Sequence, residues 1–232
     1  MPSKPRHSQV NQIRLLVNKT KEVGLAYTLH LIIRRWIPTF IYDSAVQFVF
    51  SCNMPLMAAD NEPDAPIRWG TEQDIEKLDQ LGYRADECRR HFARSDRVLV
   101  YEMGEEFYAC NWFATQTYEL VDWFHFKIAP TEIFGVSAFT RPDQRGKRLI
   151  AKFWRRASAD FLAQGYTRYM GTIHAGNRSS LRANETAPGT DIICRIWYAR
   201  LLGFTLVRAN GKFYAGWWTS NRPFILPSVA LY

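Results

Sequence analysis

The stretch FTRPDQRGKRLIAKFW, Phe139–Trp154, decides how this chain is read. It follows a β-branched and aromatic run, Thr131–Thr140, that reads as a strand. Pro142 then breaks the strand, Arg145-Gly146-Lys147-Arg148 makes a basic turn, and apolar residues recur at helical spacing from about Lys147 to Gln164. A glycine turn at a helix start presents free N–H groups and the positive end of the helix dipole to an anion. Arg145 and Lys147 add charge to that place. The stretch therefore predicts strand, phosphate-accepting turn and helix; the plainer alternative is a solvated basic helix start.

Working outward, regular elements begin at Ile67. IRWG reads as a short strand, TEQDIEKLDQLG as a helix capped by Thr71, and RADECRRHFARSD as a second short helix. RVLVYEM and FYACNWFA read as a hairpin turned at Gly104, and TYELVDWFHFKI as one further strand. Downstream of the opening stretch, TRYMGTIH reads as a strand. NRSSLRANET and DIICRIWYARLLG read as helical pieces, and FTLVRANGKFYAGWW as a hairpin turned at Asn210-Gly211. This order predicts an α/β (α+β) domain over 67–232 with a mixed central β-sheet flanked by helices.

The preceding 66 residues are read as an N-terminal extension. Val10–Pro38 has the pattern of a long basic amphipathic helix, FIYDSAVQFVFSCN is β-like, and MAADNEPDAP is the expected linker. The helix suits packing on the domain, lying on an anionic membrane or holding a partner. Its most apolar part is interrupted by His30 and Arg34-Arg35, short of the roughly 18 apolar residues of a membrane span.

Strand, RPDQRGKRLI, helix, strand, NRSSLR, helix, LLGF, strand: over about Ile67–Trp218 this succession resembles the GCN5-related N-acetyltransferase (GNAT) superfamily. In that family a P-x-x-R-G-x-G-x-G/A turn holds the pyrophosphate of acyl-CoA. An Asn-x-x-Ser segment follows the fifth strand, and a later helix ends in Leu-Gly-Phe. Pro142, Arg145 and Gly146 match the turn, whereas Arg148 and Ile150 stand at its later small positions. Asn177-Arg-Ser-Ser180 and Leu202-Gly203-Phe204 match the other two, but the segment joining them is about twice the usual length. The extra piece near ANETAPGTDI is read as a loop beside the substrate pocket or as neutral surface.

The resemblance implies an N-acyltransferase in which an amine attacks a thioester directly. The donor-binding residues it implies are Ser137, Ala138, Phe139 and Thr140 on the strand, with backbone N–H groups polarising the carbonyl. Arg145, Gly146, Lys147, Arg148 and Leu149 follow in the turn, with Asn177 and Ser180 downstream. Tyr198, on the expected last helix, is the candidate acid for the leaving thiolate, although it precedes Gly203 by five positions where four is usual. Glu132, His174 and Glu185 are the candidate bases for the amine. Neither a metal nor a covalent nucleophile is required.

Composition bounds the partners. The chain of 232 residues is 47% hydrophobic and 15% aromatic, enough for a substantial core, and its net charge of +8 favours anionic partners. Acetyl-CoA or another acyl-CoA fits that charge, and so does the phosphopantetheine of an acidic acyl carrier protein. The acceptor is expected to be a small-molecule or peptide amine. A non-catalytic module binding acyl-phosphopantetheine, a lipid surface or a partner is the alternative; nucleic acid fits less well, because no recognised motif places the basic residues in a groove. Cys52, Cys88, Cys110 and Cys194 lack metal-ligand spacing and read as reduced buried thiols. No signal peptide is evident, so a cytoplasmic protein, at most peripheral to a membrane, is expected as a monomer or homodimer.

Overall fold

The computed structural model describes residues 36–38, 41–62, 65–185, 187, 189–218 and 222–232. Its elements are β1 (Tyr42–Asn53), α1 (Met54–Ala59), β2 (Ile67–Trp69), α2 (Ile75–Leu81), α3 (Ala85–Ala93), β3 (Arg97–Met103), β4 (Glu106–Ala114), β5 (Thr117–Val121), β6 (Phe124–Lys127), β7 (Glu132–Thr140), α4 (Leu149–Leu162), β8 (Arg168–His174), α5 (Arg178–Glu185), β9 (Thr190–Leu201), β10 (Phe204–Ala209), β11 (Lys212–Trp217) and β12 (Phe224–Pro227). The amphipathic helix expected within 10–38 lies almost wholly outside the described residues.

Nine strands form one mixed sheet in the order β11-β10-β9-β1-β8-β7-β4-β3-β2. All neighbours are antiparallel except β7 and β8. β1 lies inside the sheet as its fourth strand, antiparallel to β8 on one side and β9 on the other. A second sheet, β12-β6-β5, comes from TYELVDWFHFKI and the C-terminal strand. That segment is a hairpin, since Asp122-Trp123 turns between Val121 and Phe124 where one continuous strand was expected.

Both faces of the large sheet are covered. α4 places Leu149, Phe153, Ala157 and Phe161, four residues apart, against Phe50, Leu99, Phe113, Ile133 and Tyr169. That spacing makes a single stripe along a helix. On the other face α2 and α3 cover Val98, Val100, Cys110 and Trp112. Beside them Tyr118, Phe124 and Phe126 of the small sheet cover Phe134, Met170, Ile196 and Tyr198. The run Val98-Leu99-Val100 is buried at every position because its alternating side chains meet both layers.

The helix expected over Asp191–Gly203 is strand β9. Its burial alternates along Arg195–Leu201, and it pairs with β1 along almost its whole length. Ile192, Ile193, Ile196 and Trp197 suit a pleated surface. Leu202-Gly203, expected to end a helix, instead turns the β9–β10 hairpin, both residues having positive φ (49° and 87°). Two successive left-handed residues are the geometry of a tight hairpin turn. Asn210-Gly211 (47° and 74°) turns β10 into β11 in the same way, as its sequence predicts.

Candidate active site: a parting of two parallel strands

β7 and β8 pair only at their first halves, from Glu132↔Arg168 to Gly135↔Gly171. Beyond that point β7 stays with β4 as far as Thr140, and β8 stays with β1 as far as His174. The two strands therefore part, leaving a cleft between residues 136–140 and 172–174. The last pair is two glycines for a reason. A Cβ on Gly135 would strike the Tyr169 hydroxyl, and one on Gly171 would meet Phe50 Cε1 at 2.7 Å. On the other face the Tyr118 hydroxyl spans the parting to Thr172 Oγ1, 2.6 Å away, and burial pushes its pKa up to about 12.

The β7 edge of this cleft is shaped by a bulge. Trp112 pairs with Ser137 but Phe113 with Gly135, so Val136 is the extra residue. Arg141 N–H donates to Tyr108 O, which fixes the alternation of the β4–β7 ladder. It follows that Ser137 and Phe139 point their amides at β4, while Ala138 and Thr140 turn theirs toward the cleft. Opposite Ala138, Asn111 is buried with its Nδ2 lacking a partner among the described residues.

At the mouth, Arg141–Arg148 leads into α4. Arg141 is committed to Glu106 (2.9 Å) and lies over the Tyr108 ring. Among the described residues Arg145 Nε reaches only Thr140 O (3.4 Å) and Lys147 Nζ only Gln144 Oε1 (2.6 Å). Among the described residues no carboxylate pairs with Arg145, Lys147 or Arg148. Gly146 (φ 83°) and Arg148 (φ 55°) are both left-handed. α4 begins after Arg148 with no side-chain cap and no acidic residue in its first turn. The first N–H groups of α4 and three exposed cations without a carboxylate partner thus belong to one turn.

Solved structures with this architecture include an acetyltransferase assigned to the GNAT family from Novosphingobium aromaticivorans: 17% identity, TM-score 0.51, covering 68% of this chain and 63% of that one. The fold is that of the GCN5-related N-acetyltransferases. The chain therefore spans less than two thirds of that GNAT structure's length. Weaker likenesses are a tandem GNAT protein of the clavulanic acid biosynthesis pathway (11%, TM-score 0.45, 69% of this chain and 55% of that) and AAC(6')-Iy in complex with a CoA bisubstrate analogue (14%, TM-score 0.42, 54% and 90%). No family model matches the sequence, and no curated protein matches it.

Within this GNAT fold the residues singled out by sequence fall in different places. Ser137–Thr140, Arg145–Leu149 and His174 border the cleft or its mouth. His174 Nδ1 accepts the Gly176 N–H (3.0 Å). Asn177 caps α5, its Oδ1 accepting the Ser180 N–H (3.2 Å), so this pair is joined within a helix start. Glu185 is exposed at the far end of α5. Glu132 begins β7, at the end away from the parting. It is buried under the C-terminal turn, where its carboxylate takes hydrogen bonds from Ser228 (2.5 Å) and Tyr232 (2.7 Å), with Arg168 at 3.5 Å. Tyr198 lies on β9 instead of a helix. Its ring is 2% exposed and meets Trp123 and Phe124 edge-on at 5.5 Å each.

The four cysteines are free and buried. Burial pushes the Cys52 thiol up to about 12 and Cys88 up to about 11, which suppresses thiolate chemistry. Among the described residues no group of His, Cys, Asp and Glu could hold a metal ion, and no helix is long and apolar enough to cross a membrane.

Sequence reading missed a cavity of about 690 Å³ between α3 and the β5–β6 hairpin, floored by Val136 and Ser137. At its floor the Tyr83 hydroxyl donates to Ser137 Oγ (2.8 Å), and burial raises the Tyr83 pKa. On its wall His91 stacks on Trp112, ring centroids 4.5 Å apart, with Nδ1 2.8 Å from the buried Asp96 carboxylate. The only sequence sign was His91 and Asp96 standing one helix end apart.

Proposed function

We propose that the chain is an acyltransferase that moves an acyl group from a phosphopantetheine thioester to an amine, with acyl-CoA as donor. The observation that carries this reading is the alignment of the cleft with Arg145, Lys147, Arg148 and the uncapped start of α4 at its mouth. A pyrophosphate bound there by backbone N–H groups and guanidinium leaves an extended pantetheine to run between β7 and β8, hydrogen-bonding the free edge of β7. The thioester then comes to the bulge at Val136, where cleft-facing amides stabilise the oxyanion. Amine attack forms the C–N bond, the C–S bond breaks, and the thiolate takes a proton.

Calorimetry with acetyl-CoA tests the donor. Binding in the micromolar range, weakened at least tenfold in Arg145→Ala/Lys147→Ala, is expected; no heat at high micromolar concentration refutes it. A second donor, an acyl carrier protein, is favoured by one observation: Arg148 places an exposed long side chain where the family turn has a small residue. A single phosphate crowds that turn less than a pyrophosphate. Mass spectrometry of amine products after incubation with each donor separates the two, since acylation from carrier-loaded chains alone rejects CoA.

A further inference from the structure

The cavity between α3 and the β5–β6 hairpin meets the cleft where the thioester is expected. Val136, the bulged residue at the parting, and its neighbour Ser137 form the cavity's floor. Tyr118, on its wall, bonds Thr172 on the other cleft strand. A donor lying in the cleft and an acceptor lying in the cavity would therefore meet at Val136–Ser137.

One wall carries His91, stacked on Trp112, the cross-strand neighbour of Ser137. Its neighbours fix the ring chemically. Asp96 Oδ2 lies 2.8 Å from His91 Nδ1, and Arg94 Nη2 lies 3.0 Å from both atoms. The nearer, buried carboxylate can only accept, so it takes the Nδ1 proton, while the Arg94 guanidinium donates to the carboxylates of Asp96 and Glu119. The Trp112 indole clamps the ring face. The lone pair is left on Nε2, which has no hydrogen-bond partner among the described residues; the nearest carboxylate oxygen, Glu87 Oε1, is 3.9 Å away. An imidazole held through one nitrogen by a buried carboxylate, with the other turned to a cavity, is the arrangement of a positioned proton acceptor.

Charge names the acceptor class. Arg94 is held by Asp96 and Glu119, and Arg90 by Asp86. Among the described residues Glu87 has only His91 within ion-pair range, and Asp122, with His125 as its basic neighbour, is engaged by no Lys or Arg. The cavity is thus lined by two carboxylates that no Lys or Arg among the described residues neutralises.

We propose that this cavity binds a primary alkylammonium acceptor and that His91 Nε2 removes its proton. The proposal rests on the acyl-transfer reading above. The amine lone pair attacks the thioester carbon, the C–S bond breaks, and the thiol leaves protonated. The proton on His91 passes to solvent, so the net products are amide, thiol and one H⁺.

The test follows thiol release from acetyl-CoA with spermidine, kanamycin and a lysine peptide as probes, for the parent and His91→Gln, from pH 7 to 9.5. The groups facing His91 are Glu87 and Arg94 on α3, Asp96 after it, and Glu119, Asp122 and His125 from the hairpin side. In the variant kcat/KM is expected to fall about 10²- to 10⁴-fold at pH 7. The deficit should shrink by up to about tenfold per pH unit as the amine, with an ordinary pKa near 10, loses its own proton. Acetyl-CoA affinity should stay unchanged.

A kcat/KM within threefold of the parent, or a deficit constant with pH, overturns the role of His91. Should His91→Gln not fold, ¹⁵N-histidine spectra of the parent decide: the Nδ1–H tautomer is required, and Nε2–H refutes it. Failure of the parent to bind acetyl-CoA or acylate any probe brings down the acyl-transfer reading, and this proposal with it. Acylation by the parent with an indifferent variant brings down only the proposal.

Discussion

Gly171→Ala is the sharpest test of how the cleft is held open. The new Cβ would run into the Phe50 ring, with Cε1 2.7 Å away. That ring cannot swing clear, because Trp154 (5.5 Å) and Tyr169 (6.0 Å) pack against it and Phe50 is only 4% exposed. The backbone of β8 must move instead, an overpacking cost of about 1–3 kcal/mol. At roughly 2–4 °C per kcal/mol for a chain of this size, Tm should fall by about 2–12 °C. Phe50→Leu alone should cost about 1 kcal/mol through lost packing. In the double variant the alanine methyl fills the vacated space, so the two effects should fall short of their sum by about 1 kcal/mol or more. Denaturant midpoints at constant slope give the numbers. Acetyl-CoA affinity should drop in the single glycine variant and recover in the double. Additivity within about 0.5 kcal/mol would show that Phe50 is not what the glycine avoids, and the account of the parting would fail.

Arg148→Gly relieves a left-handed residue worth about 1 kcal/mol and adds about as much unfolded-state freedom, so stability should rise by at most about 1 kcal/mol; Arg148→Val, β-branched at φ 55°, should lose about 1–2 kcal/mol. Hydrogen bonds from Arg68 hold the Asp74 and Glu102 carboxyls below their ordinary values, and Lys77 lowers Glu102 further. Folded-state values that are depressed give stability that is present above the ordinary carboxylate range and lost as pH falls through the depressed values. Arg68→Gln should therefore unfold more easily at pH 7, by about 1 kcal/mol given partial exposure, and lose less of its remaining stability below about pH 4 than the parent does. Tyr198→Phe should leave turnover within threefold, because its ring belongs to the aromatic core beneath the small sheet; a hundredfold loss in a folded protein would restore it as the acid.

The opening stretch was legible because its signals are local: α4's apolar stripe repeats every four residues, and Gly146 marks the turn. DIICRIWYARL was not. Ile193, Ile196, Trp197 and Arg200 fall at helical spacing while Cys194, Ile196, Tyr198 and Arg200 alternate as on a strand, and only β1, far away in sequence, decides between the two readings. Leu202-Gly203 was ambiguous for the same reason, since a left-handed glycine ends a helix or turns a hairpin equally well. The cavity left no pattern to read. His91, Tyr118 and Val136 are brought together by three separate elements, and a hairpin that looked like one strand supplies a wall.

The position of β1 has a consequence for synthesis. It is the first strand among the described residues, yet both of its partners, β8 and β9, come from the last third of the chain. Translation at about 5–20 residues per second leaves β1 waiting several seconds or more with both edges unpaired. During that interval the chain is open to proteases and to other nascent chains, as any exposed strand edge is. Trimming the protein back to Ile67 would therefore not yield a smaller version of it. The cut would remove the strand that joins β11-β10-β9 to the cleft half, exposing two new edges where none stood before.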